Sequence, residues 1–413
     1  MKKLAHGIMC LAAVMVAMVA SATDYVWSSG ADGNWEDASN WTPSTGYPSA
    51  AADTATIPNP ENAEGAGSAF TVTVNTPFEI AALSVGGTAG HEGKATLLIA
   101  SGTATNKVSG NIVFGSGAVV THYGPNDNVV AHAVVLQAGG DITIASGASV
   151  NVDQKGYLFV KNSSKHGGPG EGRDYGRYGG ETSVYSAVGE VHGSIRRPVD
   201  YGASVYYMGA NSPGAIHLVA GGTLTVNGEI RSCGTGGDVC GSSGGSIWLE
   251  CGTLAGGGSI LALGGVGSQN YCGSGGRISI VQRETTGWTG FTGTYDAGLD
   301  KTSGNATCGT IYLEDASDTA DEGTLIVDNA NRSNNHMTPL NFIMADASNA
   351  FGRVVVRNRG KLRIVPGLTM KVTKELSVTS NGSVLTEEGG AIEFVGAEDA
   401  TFTGGSLDRK SVV

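Results

Sequence analysis

The sequence predicts an all-β solenoid, a parallel β-helix with an N-terminal cap, on three observations. First, the tripeptides Ile216-His217-Leu218, Ile247-Trp248-Leu249, Ile278-Ser279-Ile280 and Ile311-Tyr312-Leu313 recur at intervals of 31, 31 and 33 residues, each opened by a glycine and one further residue. A fixed period of about 20 to 50 residues marks repeats that bury their apolar faces only by stacking on one another. Second, inward and outward positions alternate inside each copy, which is the period of a strand, and glycines on either side mark corners. Third, glycine supplies 66 of 413 residues, more than twice the average share of about 7%. There is no collagen-like period, and the chain is too aliphatic to be disordered. Because the same apolar position returns in every copy, aliphatic side chains should stack in columns, and each strand should pair in parallel with its counterpart one repeat later.

Met1 to Ala22 reads as a secretory signal peptide, with Lys2 and Lys3, an apolar run from Ile8 to Ala20 and small residues at Ala20-Ser21-Ala22. Cys10, preceded by Met9 at the front of that run, lacks the setting of a lipoprotein cleavage site. Removing the two lysines takes the formal net charge from −12 to −14. An acidic chain without a basic patch argues against nucleic acid and anionic lipid as partners, and no later stretch is long and apolar enough to span a membrane.

Residues 23–60 form a Trp-rich N-terminal cap segment, with Trp27, Trp35 and Trp41 inside fifteen residues. Their indoles are expected to cover the open end of the core, the other reading being a platform for sugars. Residues 61–407 carry the β-helix. Short β-rich runs from Phe70 to Val152 alternate with Gly, Ser and Asn turns and read as the sides of repeats. The stretch 162–212, rich in Gly, Tyr and Arg, interrupts them as a long loop that packs over the flank or walls a groove. After Leu313 the runs shorten, from Thr324–Asp328 to Ala391–Val395, and are expected to continue as smaller repeats. The hexapeptide 408–413, Asp-Arg-Lys-Ser-Val-Val, matches the translation of a common sequencing adapter, so the natural protein is expected to be longer.

Beyond the leader, Cys233, Cys240, Cys251, Cys272 and Cys308 remain, and an odd number leaves at least one unpaired. Cys240, Cys272 and Cys308 each close the loop before the next Ile-x-Leu strand, near enough on successive repeats for a disulfide. Disulfides or free thiols are expected in place of a metal site, since no C-x2-C spacing is present. No cofactor or metal is expected.

The run GGSIWL, GTLAGGGSI and GSGGRISI, preceded by the GGPGEG and YGRYGG loop, resembles the glycine-rich right-handed β-helix regions of large secreted bacterial proteins. The Trp-rich segment with Asp53-Thr54-Ala55 is similar to the start of autotransporter-associated β-strand repeat proteins. The resemblance implies a single-stranded right-handed parallel β-helix and a surface or adhesin-like role.

Outward positions on the Ile-x-Leu strands form columns. His217, Trp248, Ser279 and Tyr312 make one, flanked by Ala215, Ser246, Arg277, Thr310 and by Val219, Glu250, Val281, Glu314. Two repeats separate Glu250 from Glu314, roughly 9.6 Å at the usual strand spacing, near the ~6.5–9.5 Å carboxyl separation of inverting glycosidases. A lyase would need a base, for which Arg277 or the arginines of the long loop are candidates. One reading is therefore a polysaccharide lyase or glycoside hydrolase with Glu250, Arg277 and Glu314 catalytic. His217, Trp248 and Tyr312, with Tyr175, Tyr178, Arg173 and Arg177 of the loop, would bind substrate. The favoured expectation is a secreted or cell-surface monomer with an adhesive, glycan-binding or scaffold role and a polysaccharide or surface glycan as partner. No Ser/His/Asp motif or metal signature stands out, the Gly-x-Gly runs lack a strand-to-helix setting, and the calcium-binding nonapeptide series is missing.

Overall fold

The computed structural model describes residues 22–61, 68–125, 129–158, 177–182, 191–204, 210–237, 240–267, 271–284, 286–300, 306–333, 336–341, 348–396 and 399–409. The predicted leader lies outside these residues, apart from Ala22. Strands dominate, and the one helical element among the described residues is the 3-10 turn Ala38–Asn40. Period-two burial explains the choice: Lys94–Ile99 and Ala69–Val74 both alternate exposed or half-buried with buried positions, so a strand buries one face where a helix would scatter the same side chains.

Successive strands go to three sheets in rotation. The first runs from Asp24–Trp27 through Thr54–Ile57, Ala82–Val85, Ile112–Phe114 and Ile142–Ile144 to Thr223–Val226 and Thr253–Ala255. The second runs from Gly33–Asn34 through Ala69–Val74 and Lys94–Ile99 to Thr294–Asp296. The third takes Val134–Ala138, Ala215–Ala220, Ser246–Cys251, Arg277–Gln282 and Thr310–Glu314 in that order, all paired in parallel. Within it Ile216, Ile247, Ile278 and Ile311 are in register, as are Leu218, Leu249, Ile280 and Leu313. All eight are buried, as the 31-residue spacing predicts. The column reaches one strand further back, to Val134 and Leu136, a link hidden in the sequence because the 162–212 insertion lies between them.

The indoles of Trp27, Trp35 and Trp41 are all buried. Trp41 meets Trp35 edge-on at 4.9 Å and Trp27 at 5.1 Å, while Trp35 stacks on Phe78 at 4.8 Å. Trp35 Nε1 donates to the Pro48 carbonyl and Trp41 Nε1 to that of Trp35, which satisfies the polar ends of those two rings. Two of the three, Trp27 and Trp41, pair antiparallel at the edge of the first sheet. They close the core there, and the sugar-platform alternative fails because the rings are not accessible.

Glycine is required where repeats touch backbone to backbone. A Cβ on Gly275 would collide with the Ala297 carbonyl, and one on Gly309 with that of Gly276. Gly275→Ala is therefore expected to cost about 1–3 kcal/mol through overpacking, measured as a lowered urea midpoint.

Past Leu313 shorter repeats paired in parallel do follow, as expected, but they do not continue the stack directly. The chain reverses, and Thr324–Asp328 pairs antiparallel with Thr310–Glu314, Leu313 opposite Thr324. Asp315 starts the reversal by accepting from Ser317 N at 2.8 Å. Ala350–Arg357 and Thr369–Thr379 then extend the third sheet, while Thr338–Leu340, Lys361–Ile364, Ser383–Thr386 and Ser406–Arg409 make a separate four-stranded sheet. These enclose a second core of Leu325, Val327, Phe351, Val354, Leu362 and Met370, which includes Tyr312 and Val281. Ile311 and Ile280, one residue away on the same strands, belong to the first core. The two cores therefore lie on opposite faces of one sheet. Among the described residues the five cysteines are all buried thiols outside any disulfide, so of the two expectations thiols hold and disulfides do not.

Candidate functional site

The face of the third sheet turned away from the first core carries the columns that the spacing predicts. Register places His217, Trp248, Ser279 and Tyr312 together, with Ser246, Arg277 and Thr310 on one side and Glu250, Val281 and Glu314 on the other. Most of that face is roofed. Ser279 Oγ donates to the Arg196 carbonyl at 2.6 Å and Ser246 Oγ to that of Asp200 at 2.5 Å, while Tyr178 OH donates to Ser246 Oγ at 2.5 Å. The described parts of the long loop thus lie over the sheet.

Arg277 is fully buried and is not a solvent-facing base. Its Nε and Nη2 donate to the His192 carbonyl at 3.0 and 2.7 Å, Nη2 also to that of Tyr178 at 3.1 Å, and Nη1 to Thr310 Oγ1 at 2.9 Å. A guanidinium has five donors in a fixed fork, and here they hold the covering segment. Tyr178 and Tyr312 are buried too, and burial pushes both phenols well above their ordinary range. Neither can stack on a sugar. Tyr312 OH donates to Glu314 Oε2 at 2.6 Å, and the same oxygen accepts from Asp321 N at 2.9 Å. Glu314 is therefore spent on pinning the reversal. Arg177 reaches Thr182 Oγ1 in its own segment at 3.5 Å and lines neither cavity described below. Arg173 and Tyr175 lie outside the described residues.

Three predicted residues stay together and partly accessible. The rings of His217 and Trp248 stack at 3.7 Å and 3°. Glu250 accepts from His217 Nε2 at 3.1 Å through one oxygen and from Arg283 Nη2 at 2.8 Å through the other. The His217 bond, aided by Arg283 against the effect of burial, holds the Glu250 carboxyl below its ordinary value. A general acid needs the opposite shift. Glu250 and Glu314 do share a cleft with Trp248, Tyr312, Arg196 and Arg283, but its volume is about 80 Å³. That is space for two or three waters at about 30 Å³ each, and less than a sugar ring needs. Because Glu250 is depressed by partners that exist only in the fold, it stabilises the fold above the carboxylate range and loses that contribution as pH falls through its folded pKa. Glu250→Gln should flatten the acid limb of a Tm-against-pH curve.

Beside His217 lies a larger cavity, about 390 Å³, lined by Thr103, Thr105, Val130, Ala133 and Val135, by Pro198, Val199 and Asp200, and by Ala215, Ile216 and His217. This volume is within the ~300–1,000 Å³ of small-molecule sites. Burial raises the Asp200 carboxyl above its ordinary value, with Arg277 opposing, and among the described residues no group donates a hydrogen bond to it. Sequence reasoning missed Asp200 because its segment has no periodicity; its only signal was a carboxylate following Arg196-Arg197-Pro198 in the loop.

The fold and site define an all-β protein of stacked parallel strands with a cavity of about 390 Å³ against the outer face of the third sheet. The chain matches no protein-family model, no curated protein and no solved structure. Among the described residues no helix is long and apolar enough to cross a membrane, and no group of three His, Cys, Asp or Glu side chains is placed to hold a metal.

Proposed function

We propose that the chain is a secreted or cell-surface right-handed parallel β-helix that binds glycans on its outer face, as an adhesive or scaffold module. The rotation of strands among three sheets and the in-register aliphatic columns support the architecture. The leader-like Met1 to Ala22 supports export. One observation carries the choice of binding over cleavage: Arg277 and Glu314 are committed to protein hydrogen bonds, while a cavity of ligand size stays open beside the stacked His217 and Trp248.

A glycan array probed with the purified protein, followed by reducing-end and unsaturated-product assays on every glycan bound, tests this. Binding without new chain ends is expected. Depolymerisation that Glu250→Gln abolishes while binding persists would overturn the reading in favour of a polysaccharide-degrading enzyme.

A further inference from the structure

We propose that the cavity between Pro198–Asp200 and the third sheet is a subsite for one neutral, hydroxyl-rich pyranose ring, with Asp200 accepting from one of its hydroxyls. This rests on the glycan-binding reading and narrows it to a class of sugar and a residue that selects it.

The walls suit a ring with one apolar face. Val130, Ala133, Val135, Pro198 and Val199 present carbon surface, and the polar residues in the lining are few: Thr103, Thr105, His217 and Asp200. That composition is the usual one for a small-molecule site. His217 is held in place before any ligand arrives by its stack on Trp248 and its bond to Glu250, so little order remains to be imposed on binding.

Asp200 supplies the specificity. Its carboxylate is half-buried and accepts no hydrogen bond from the described residues, although partly buried polar groups ordinarily find partners. Its Oδ2 lies against Gly193 and the buried Tyr178 ring, so a sugar hydroxyl would donate to Oδ1, in the short, strong bond of a charged acceptor. The backbone of Asp200 is fixed independently, since its carbonyl accepts from Ser246 Oγ. Charge then selects among sugars. The cavity lining contains no lysine or arginine, Glu250 stands behind His217, and the whole chain is at −12. A uronate or sulfated ring would bring a second negative charge toward Asp200 with nothing in the lining to neutralise it, a juxtaposition that discriminates strongly.

Saturation-transfer-difference NMR on the full chain at pH 7 tests the proposal, with methyl glucoside, methyl galactoside, methyl mannoside, galacturonate and glucosamine as probes. At least one neutral methyl pyranoside should receive saturation at its ring protons more strongly than galacturonate, and glucosamine, whose ammonium Asp200 attracts, should not be excluded with it. Asp200→Ala should weaken the neutral pyranoside's binding at least tenfold. Val199→Trp, which fills the cavity from a half-exposed position and leaves Asp200 intact, should do the same. No transfer to any neutral pyranoside, preference for galacturonate over every neutral pyranoside, or binding as strong as the wild type's in both variants would overturn it. Array binding that survives in both variants would refute this subsite while leaving glycan binding in place; loss of all glycan binding in the wild type would remove both.

Discussion

Ile278→Ala is expected to lower stability by about 2–5 kcal/mol, the usual cost of truncating a fully buried aliphatic side chain. Ile278 has no exposed surface and lies in register between Ile247 and Ile311. Strands fixed on both sides leave the cavity little room to collapse, which places the loss toward the upper end. Trp248, one residue away but on the other face, is partly exposed and has one ring partner, His217. Trp248→Ala should cost less, the stacked pair itself contributing on the order of 1 kcal/mol. Hydrogen exchange on Ile278→Ala should lose protection first around residues 247, 278 and 311, spreading to Ile326, which pairs with Ile311, before the N-terminal strands respond. Uniform loss along the chain, or a larger effect from Trp248→Ala, would show that the two faces have been assigned the wrong way round.

Arg277→Met is expected to release the covering segment before the sheets unfold. The substitution keeps a long apolar stem but removes donors from the His192 and Tyr178 carbonyls and the cation 5.2 Å above the Tyr178 ring. Each buried acceptor left unpaired costs about 1–3 kcal/mol, so a total of roughly 3–5 kcal/mol is expected. The loss should fall on 177–182 and 191–204. Limited proteolysis should cut there at denaturant concentrations where the first-core amides still resist exchange. Arg277→Lys should fall between, since an ammonium keeps the charge but cannot reproduce the fork. A single cooperative transition with no early cleavage would contradict this anchoring role.

Asp200→Asn offers an opposite sign. Burial raises the folded pKa of Asp200, so its contribution to stability is fully present at low pH and is lost as pH rises through the folded value. Removing the charge should therefore raise Tm at pH 7 and leave it unchanged below the carboxylate range. Groups kept at a cost to the fold are often those a binding site needs.

The columns were legible because a period of two inside a period of 31 determines both which residues face the core and which lie side by side. The tryptophan cap was legible for a related reason: three indoles near the start of a stacked chain have an open end to cover. The roof was not. It is held by side chains of the repeats, Arg277, Ser279 and Ser246, bonding to carbonyls of an aperiodic segment, and every residue offers a carbonyl, so no pattern marks which ones are used. The spacing accordingly assigns Arg277, Tyr312 and Glu314 to the correct columns but says nothing of the segment that buries them. The reversal was hidden because Ile311-Tyr312-Leu313 has the same form as its three predecessors. What differs is the acidic turn after it, and that turn alone does not say on which side of the sheet the chain will resume.

That change of side limits how far a ligand can travel. From His217 toward Trp248 the outer face is partly open, but two strands beyond Trp248 the same face has become the floor of the second core, with buried Arg196 above Tyr312 and Phe351. The face is a cul-de-sac. A glycan laid along the stack cannot thread through it and slide, as it can on a groove open at both ends. If the proposed glycan binding holds, contact is confined to termini or short branches, and capacity should scale with the number of chain ends displayed on a surface and not with the length of the polymer behind them.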